Sequence, residues 1–306
     1  MRPSEKCEER KTGKKLGDAY SEGRERLKAA GVPEPDLDAW YLLESVTGVS
    51  RALYYARPGQ EMTESQSAAY ESCIRKRCAR IPLQHITGVQ EFMGLEFRVS
   101  GDVLIPRQDT EVLVEEALKA AGSGAVPTEN GTLRVLDLCT GSGCILLSFL
   151  YWLKKNGRSG GKMPVGGIGS DLSERALGVA KENAGKLKIP AEFVQGDLFE
   201  NVRGSFGLIL SNPPYIRTAE LDSLQDEVRL YDPREALDGK EDGLYFYRRI
   251  VRECRPHLAD GGYLMFEIGC DQAEDVADLM RKGGFLDIEV KKDLAGLDRV
   301  VFGRYS

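Results

Sequence analysis

The stretch Phe206-Gly207-Leu208-Ile209-Leu210-Ser211-Asn212-Pro213-Pro214-Tyr215 joins an apolar run to a pair of prolines. Residues 207–210 have the unbroken apolar character of a buried strand. Proline lacks the N–H a ladder needs, so the strand stops at Asn212 in a stiff turn. Open α/β sheets bind their ligands at the carboxyl ends of strands. The turn leaves the Asn212 carboxamide and the carbonyls of Asn212 and Pro213 outside the sheet. Two neighbouring acceptors suit a planar –NH2 group with two hydrogens to place. The stretch predicts a cradle for a nitrogen about to react.

Working outward, strands and helices alternate from Leu133 onward. Strands are predicted at 133–138, 165–170, 191–194, 207–210, 263–268, 286–290 and 300–303, with helices in most intervals. Such alternation implies a parallel sheet covered on both faces. Only Lys291 to Arg299 joins the last two strands, too short for a helical crossover, so the final strand is predicted antiparallel. The first strand ends in Asp137-Leu138-Cys139-Thr140-Gly141-Ser142-Gly143 and enters an apolar helix. Small residues there let a ligand approach the backbone, and the helix start offers N–H donors. Asp171, at the second strand end, is placed to accept from ribose hydroxyls. It follows Gly143 by more than the roughly 20 residues of dinucleotide folds, an excess absorbed by the insertion KKNGRSGGKMPVGG. The third strand ends at Gly196-Asp197-Leu198-Phe199. A glycine-rich turn alone is equally a packing turn, and Asp197 equally a turn residue, but together these strand ends read as a nucleoside pocket. No GxxxxGK[ST] is present, so a P-loop is excluded.

Upstream, residues 1–16 are charged and aperiodic, the pattern of a disordered tail. Residues 17–80 read as a small helical domain. Asp18 is placed to cap a helix carrying Leu27, and Pro35-Asp36 opens a second. There Ala39, Leu42, Leu43 and Val46 share a face, with Asp38 and Glu44 expected outside, and Gly48 as the stop. Ser50 starts a short turn, and Thr63 with Gln66 resembles a capping box for a helix running to Cys78. Arg75-Lys76-Arg77 and Arg80 read as a solvated face. Residues 81–105, aromatic and β-branched around Gly94, predict a β-hairpin linker, and 106–306 form the large domain, where Asp109-Thr110-Glu111 starts a helix to about Ala121. Trp40 and Trp152 are expected in the core.

The chain has 306 residues, of which 42% are hydrophobic and 29% charged, the balance of an ordinary globular protein. No apolar run is long enough to span a membrane, and the N-terminus lacks a signal-peptide core. Seven scattered cysteines without metal spacing predict reduced thiols, no metal site and a cytoplasmic protein. A net charge of −6 weighs against direct nucleic-acid binding, though a local basic patch remains compatible with it. Neither His85 nor His257 is placed as a catalyst.

The loop DLCTGSG with an acid after the second strand and an aspartate after the third resembles class I S-adenosylmethionine methyltransferases, and NPPY after the fourth narrows this to enzymes that methylate amino or amide nitrogens. The stretches PLQHITGVQEFMGLEFRV, VLIPRQDTEVLVE, VLDLCTGSGCI, SNPPYI, LYDPREALDGKEDGL and KDLAGLDRVVFGR are similar, in order, to the release-factor glutamine methyltransferase family (HemK/PrmC), over nearly the whole chain. The resemblance implies a Rossmann-like α/β sheet with a helical substrate-docking domain before it. It also implies N5-methylation of the glutamine in the Gly-Gly-Gln motif of peptide-chain release factors, with S-adenosylmethionine as cofactor and S-adenosylhomocysteine as product. Carried over, Cys139, Thr140, Gly141, Ser142 and Gly143 line the methionine side of the cofactor, Asp171 meets its ribose and Leu198 its adenine edge. Asn212, Pro213, Pro214 and Tyr215 hold the glutamine, Asn212 and Pro213 serving the chemistry and Asn212 also bordering the cofactor. This sequence departs from the family in three places: Cys139 stands where glycine is commoner, Leu198 where an aromatic is frequent and Gln108 where proline is. Glutamine methylation of a ribosomal protein, amino-methylation of adenine or cytosine in nucleic acid, and a non-catalytic nucleoside-binding scaffold are the alternatives.

Overall fold

The computed structural model describes residues 14–156 and 165–306. The chain divides into two compact units, with the boundary between Thr87 and Gly88. Most of the predicted tail (1–13) and the middle of the glycine-rich insertion (157–164) lie outside the described residues.

The first unit is helical: α1 (Leu16–Ala29), α2 (Pro35–Thr47), α3 (Arg51–Ala56), α4 (Glu64–Cys78) and α5 (Leu83–Thr87). Local signals set the helix ends. Pro35 opens α2, where a missing N–H costs nothing, and Gly48 closes it with a left-handed φ of 69°. Thr63 and Gln66 make both bonds of a capping box, at 3.1 and 3.0 Å. Leu16, Leu27, Ala39, Leu42, Leu43 and Ile74 close the core.

Three expectations are corrected in this unit. The ordered chain starts before residue 17, because Lys15 pairs with Glu61 and Leu16 already begins α1. Asp18 therefore lies in the first turn instead of capping it. Asp38 and Arg77, both expected in solvent, are buried and joined Oδ2 to Nε at 2.6 Å. Asp38 stands one turn before Leu42 and so borders the apolar stripe, and the arginine arrives from α4 to neutralise it.

The second unit begins with β1 (Val89–Phe92) and β2 (Leu95–Arg98), an antiparallel hairpin narrower than the predicted 81–105 linker. The hairpin is an integral part of this unit. Phe92 and Phe97 enter its core. Asn183 clamps both backbone groups of Arg98, at 2.7 and 3.0 Å. Glu111 accepts from the Met93 N–H at 2.6 Å instead of capping the helix it opens, and the half-buried Trp152 donates to the Met93 carbonyl.

The remaining elements are α6 (Glu111–Ser123), β3 (Leu133–Leu138), α7 (Cys144–Asn156), β4 (Val165–Asp171), α8 (Glu174–Leu187), β5 (Glu192–Gln195), β6 (Phe206–Ser211), α9 (Asp226–Tyr231), α10 (Tyr245–Glu253), β7 (Leu258–Glu267), α11 (Ala273–Lys282), β8 (Phe285–Lys292) and β9 (Asp298–Tyr305). All seven predicted sheet strands are present, with small shifts at their ends; the largest is in β7, which starts at Leu258. They form one sheet in the order β5-β4-β3-β6-β7-β9-β8. The first five run parallel, and β9 pairs antiparallel with both β7 and β8, as its short connection requires. Alternate residues feed the two faces. Val135, Leu208 and Met265 pack with Leu113, Leu146 and Phe149, while Leu136, Ile209 and Leu264 pack with Tyr247, Ile250 and Met280. This is the Rossmann-like α/β sheet expected. Its chain order reverses between β3 and β6, where open sheets gather ligands.

Candidate active site

Five parallel strand ends line the edge at that reversal. The register sets Leu138 beside both Ser170 and Ser211, Asp171 beside Gln195, and Ser211 beside Phe266. The loop Cys139–Gly143, Asp171, Leu198 and Asn212–Tyr215 thus lie along one edge.

The loop after β3 is held by short-range bonds. The Thr140 N–H donates to the Ser170 carbonyl at 3.0 Å and its hydroxyl to Asp137 Oδ2 at 2.6 Å. Asp171 accepts from the N–H groups of Gly141 and Ser173, both at 2.9 Å. Cys139, Gly141 and Gly143 have left-handed φ of 57°, 53° and 78°. At Gly143 a side chain would crowd Leu147 of α7 and Ala180 of α8, whereas a Cβ on Gly141 would meet open space. Left-handed backbone explains why glycine suits position 139, and its cost to cysteine is about 1–2 kcal/mol. Leu198 is left-handed too, at 55°. Such strain concentrates at ligand sites.

Burial raises the acids here. Asp137 is fully buried, its Oδ1 has no hydrogen-bond partner, and desolvation pushes its carboxyl up to about 7 against the Thr140 hydroxyl and the Leu146 N–H, which lower it. Desolvation also raises Asp171, opposed by backbone N–H donors.

The turn after β6 is braced differently. No described residue forms a hydrogen bond to the half-buried Asn212 carboxamide or to the Pro213 carbonyl. Beyond them, the Tyr215 carbonyl accepts from Gln272 Nε2 at 3.1 Å, while Gln272 Oε1 takes the Gly269 N–H at 3.0 Å. Ile216 pairs with the segment at Leu237–Gly239, with bonds of 3.0 and 2.8 Å. That segment passes so close that a Cβ on Gly239 would sit 2.7 Å from the Tyr215 backbone, and one on Gly243 only 2.5 Å from its carbonyl oxygen. Gly243 also has φ of +76°. Arg107 reaches the buried Asp232 at 2.7 Å, and Arg299 binds Asp293 and the Ile268 carbonyl. Glu267 ends β7 almost wholly buried.

Residues 18–88 match the PrmC N-terminal domain and residues 125–228 the methyltransferase small domain. The release factor glutamine methyltransferase of Geobacter sulfurreducens is 41% identical over 91% of this chain and 92% of its own. That of Agrobacterium fabrum is 39% identical over 91% and 93%. The chain belongs to the release factor glutamine methyltransferase family. Among solved structures, the hMettl16 catalytic domain, determined in complex with MAT2A 3'UTR hairpin 6, is 13% identical with a TM-score of 0.52 over 81% of this chain and 85% of that one, a likeness of fold.

For this family member, the structure brings every predicted site residue to the edge between β5 and β7, and it frees the acceptors of Asn212 and Pro213. Asp197, read as a turn residue or an adenine contact, gives both carboxylate oxygens to Arg249, at 2.8 and 2.9 Å. Among the described residues no group of three His, Cys, Asp or Glu could hold a metal ion, and no helix is long and apolar enough to cross a membrane. Sequence reasoning missed Gln272, Gly239 and Gly243. The paired glycines of Asp238-Gly239-Lys240-Glu241-Asp242-Gly243 were a visible signal of close backbone approach. Gln272 offered none.

Proposed function

We propose that the protein transfers a methyl group from S-adenosylmethionine to the side-chain amide nitrogen (N5) of the glutamine in the Gly-Gly-Gln motif of peptide-chain release factors, leaving S-adenosylhomocysteine. The observation that carries this reading is the pair of unengaged acceptors, Asn212 Oδ1 and the Pro213 carbonyl, beside a glycine-rich loop at the sheet's reversal point, in a chain that shares about two-fifths of its residues with enzymes named for this reaction. The helical unit is read as docking the release factor, and the protein is read as cytoplasmic.

The loop residues fit the cofactor. Open space beside Gly141 lets a ligand reach the backbone, and the buried Asp137 and half-buried Asp171 suit a molecule with two positive centres and ribose hydroxyls. Cys139 to Gly143 would hold the methionine side. Asp171 keeps lone pairs for the ribose beyond its two backbone bonds, and Leu198 would border the adenine, since His257 already stacks on Phe199 at 4.9 Å. S-adenosylmethionine, when bound, supplies a methyl group on a sulfonium sulfur.

An amide nitrogen is a poor nucleophile because its lone pair is delocalised into the carbonyl. Asn212 Oδ1 and the Pro213 carbonyl accept its two hydrogens and fix its direction, and positioning of this kind is worth several of the roughly 7–11 kcal/mol available to orientation. The same acceptors stabilise positive charge developing on the nitrogen. Pro214 and Tyr215 wall the amide plane.

Intact-mass analysis of an unmethylated release factor, incubated with the protein and S-adenosylmethionine, tests this. One added methyl, lost when Gly-Gly-Gln becomes Gly-Gly-Ala, is the expected result. No gain, with cofactor binding confirmed calorimetrically, would move a ribosomal-protein glutamine or a nucleic-acid amino group into its place.

A further inference from the structure

The turn that joins β8 to β9, residues 293–297, sets unprotected apolar side chains in a rigid frame. Asp293 is buried and holds the turn from inside. Its Oδ1 accepts from the N–H groups of Ala295 and Leu297 at 2.9 and 3.0 Å, and its Oδ2 from Arg299 Nε and Nη2 at 3.2 and 3.0 Å. The main chain closes on itself: the Asp293 N–H donates to the Leu297 carbonyl at 2.8 Å, and the Gly296 N–H to the Asp293 carbonyl at 3.0 Å. Arg299 ties the whole turn to β7 by donating to the Ile268 carbonyl at 3.2 Å. Out of this frame Leu294 projects fully into solvent, and Leu297 is half exposed. One exposed leucine on a slack loop is ordinary. Two on a turn fixed by a buried carboxylate contribute nothing to the core, yet are already ordered for a contact.

The place of the turn says what it would touch. β9 runs antiparallel to its neighbours, with Val300 opposite Glu267 and Asp298 opposite Lys292. The turn therefore lies at the carboxyl ends of the parallel strands, on the same edge as Asn212. In the order β6-β7-β9-β8 it stands two to three strand spacings from β6, about 10–15 Å. A standard protein interface covers about 800 Å² on each partner, a round patch of roughly 16 Å radius. A protein whose glutamine enters the Asn212–Tyr215 turn thus covers the β8–β9 turn as well.

We propose that Leu294, with Leu297 on the same turn, is an apolar anchor for the protein substrate, seated against an apolar patch of the release factor outside its Gly-Gly-Gln loop. This rests on the reading of Asn212–Tyr215 as the amide cradle and of a release factor as its substrate. The cradle selects the atom that reacts, and the anchor holds the protein that carries it. The facing patch must be apolar, because a leucine side chain has no polar group and is held only by packing and the release of water.

The test measures initial rates against rising concentrations of an intact, unmethylated release factor. Leu294→Ala is expected to raise KM about tenfold, what burying most of a leucine side chain is worth, and Leu294→Asp about a hundredfold, since a carboxylate would be desolvated there. In both, kcat at saturation and the calorimetric Kd for S-adenosylmethionine should stay within about twofold of wild type, the signature of binding lost equally from ground and transition states. Leu294→Met keeps the apolar volume and should restore KM to within about threefold. Leu286, half exposed at the far end of β8 opposite Arg304, is the control, and Leu286→Asp should leave KM unchanged. An unmoved KM in Leu294→Asp, a loss in kcat instead, or an equal loss in Leu286→Asp would overturn the anchor while leaving the substrate assignment standing. A release factor that the wild type cannot methylate would sink the substrate assignment, and the anchor with it. Sedimentation velocity of the free protein addresses the remaining occupant: a dimer that Leu294→Asp splits would give the turn to a second copy of this chain and refute the proposal.

Discussion

The two sides of the sheet edge are built on opposite plans. On the β3–β5 side the loop Cys139–Gly143 is tied by its own strand and the next: Asp137 of β3 to the Thr140 hydroxyl, and Asp171 and Ser170 of β4 to Gly141 and Thr140. On the β6–β7 side the turn Asn212–Tyr215 is kept in place by Gln272, Gly239 and Gly243, which lie 24 or more residues further along the chain. The first plan ties a loop to its immediate frame. The second holds a rigid, proline-stiffened turn from outside, leaving its own acceptors unspent for another molecule. A recognition surface can therefore stay ordered without satisfying its polar groups internally.

The sharpest way to break this contrast is at the external brace. Gly243→Ala places a methyl 2.5 Å from the Tyr215 oxygen at a left-handed position. Strain and overpacking together are expected to cost about 2–5 kcal/mol. Thermal unfolding should show a Tm lower by roughly 5–15 °C, and an unchanged Tm would show that the brace is slack. A middle-sized effect separates the two sides in function. Asn212→Ala should lower kcat about a hundredfold, comparable to deleting one transition-state partner, while leaving cofactor affinity intact. Asp171→Ala should instead weaken cofactor binding, by about ten- to hundredfold. Equal loss of both quantities in each variant, read by single-turnover kinetics and calorimetry, would dissolve the division. The smallest effect is at Cys139→Gly. Relief of left-handed strain, about 1–2 kcal/mol, is offset by lost sulfur packing and a more flexible unfolded chain. Urea unfolding should move by less than about 1 kcal/mol; a larger loss would mean that the sulfur carries a packing role in the loop.

The same contrast explains what could be read in the sequence. Features that depend on near neighbours were legible: the capping box at Thr63 and Gln66, the stop at Gly48, the strand halted by Pro213, and the antiparallel final strand forced by a nine-residue connection, Lys291 to Arg299. The glycine-rich loop after β3 and the proline turn after β6 were legible for that reason too. What depends on distant partners was not. Asp38 looked like a surface acid because its counter-charge, Arg77, comes from another helix, and a lone buried charge would have been untenable. The hairpin looked like a linker because the clamp on Arg98, Asn183, lies 85 residues away. Gln272 looked like any polar residue at a helix start, since nothing local announces that its amide reaches Tyr215.

The position of β9 bears on how the polypeptide leaves the ribosome. β8 joins the sheet only through β9, which is threaded between β7 and β8. Until residues 298–305 have emerged, β7 keeps an open edge and β8 has no partner. Pairings that wait for a strand later in the chain are slow and expose apolar strand edges meanwhile. During translation of its own message, the nascent chain must hold Tyr263–Glu267 unsatisfied on one side, a window in which chaperone capture or aggregation competes with closure of the sheet.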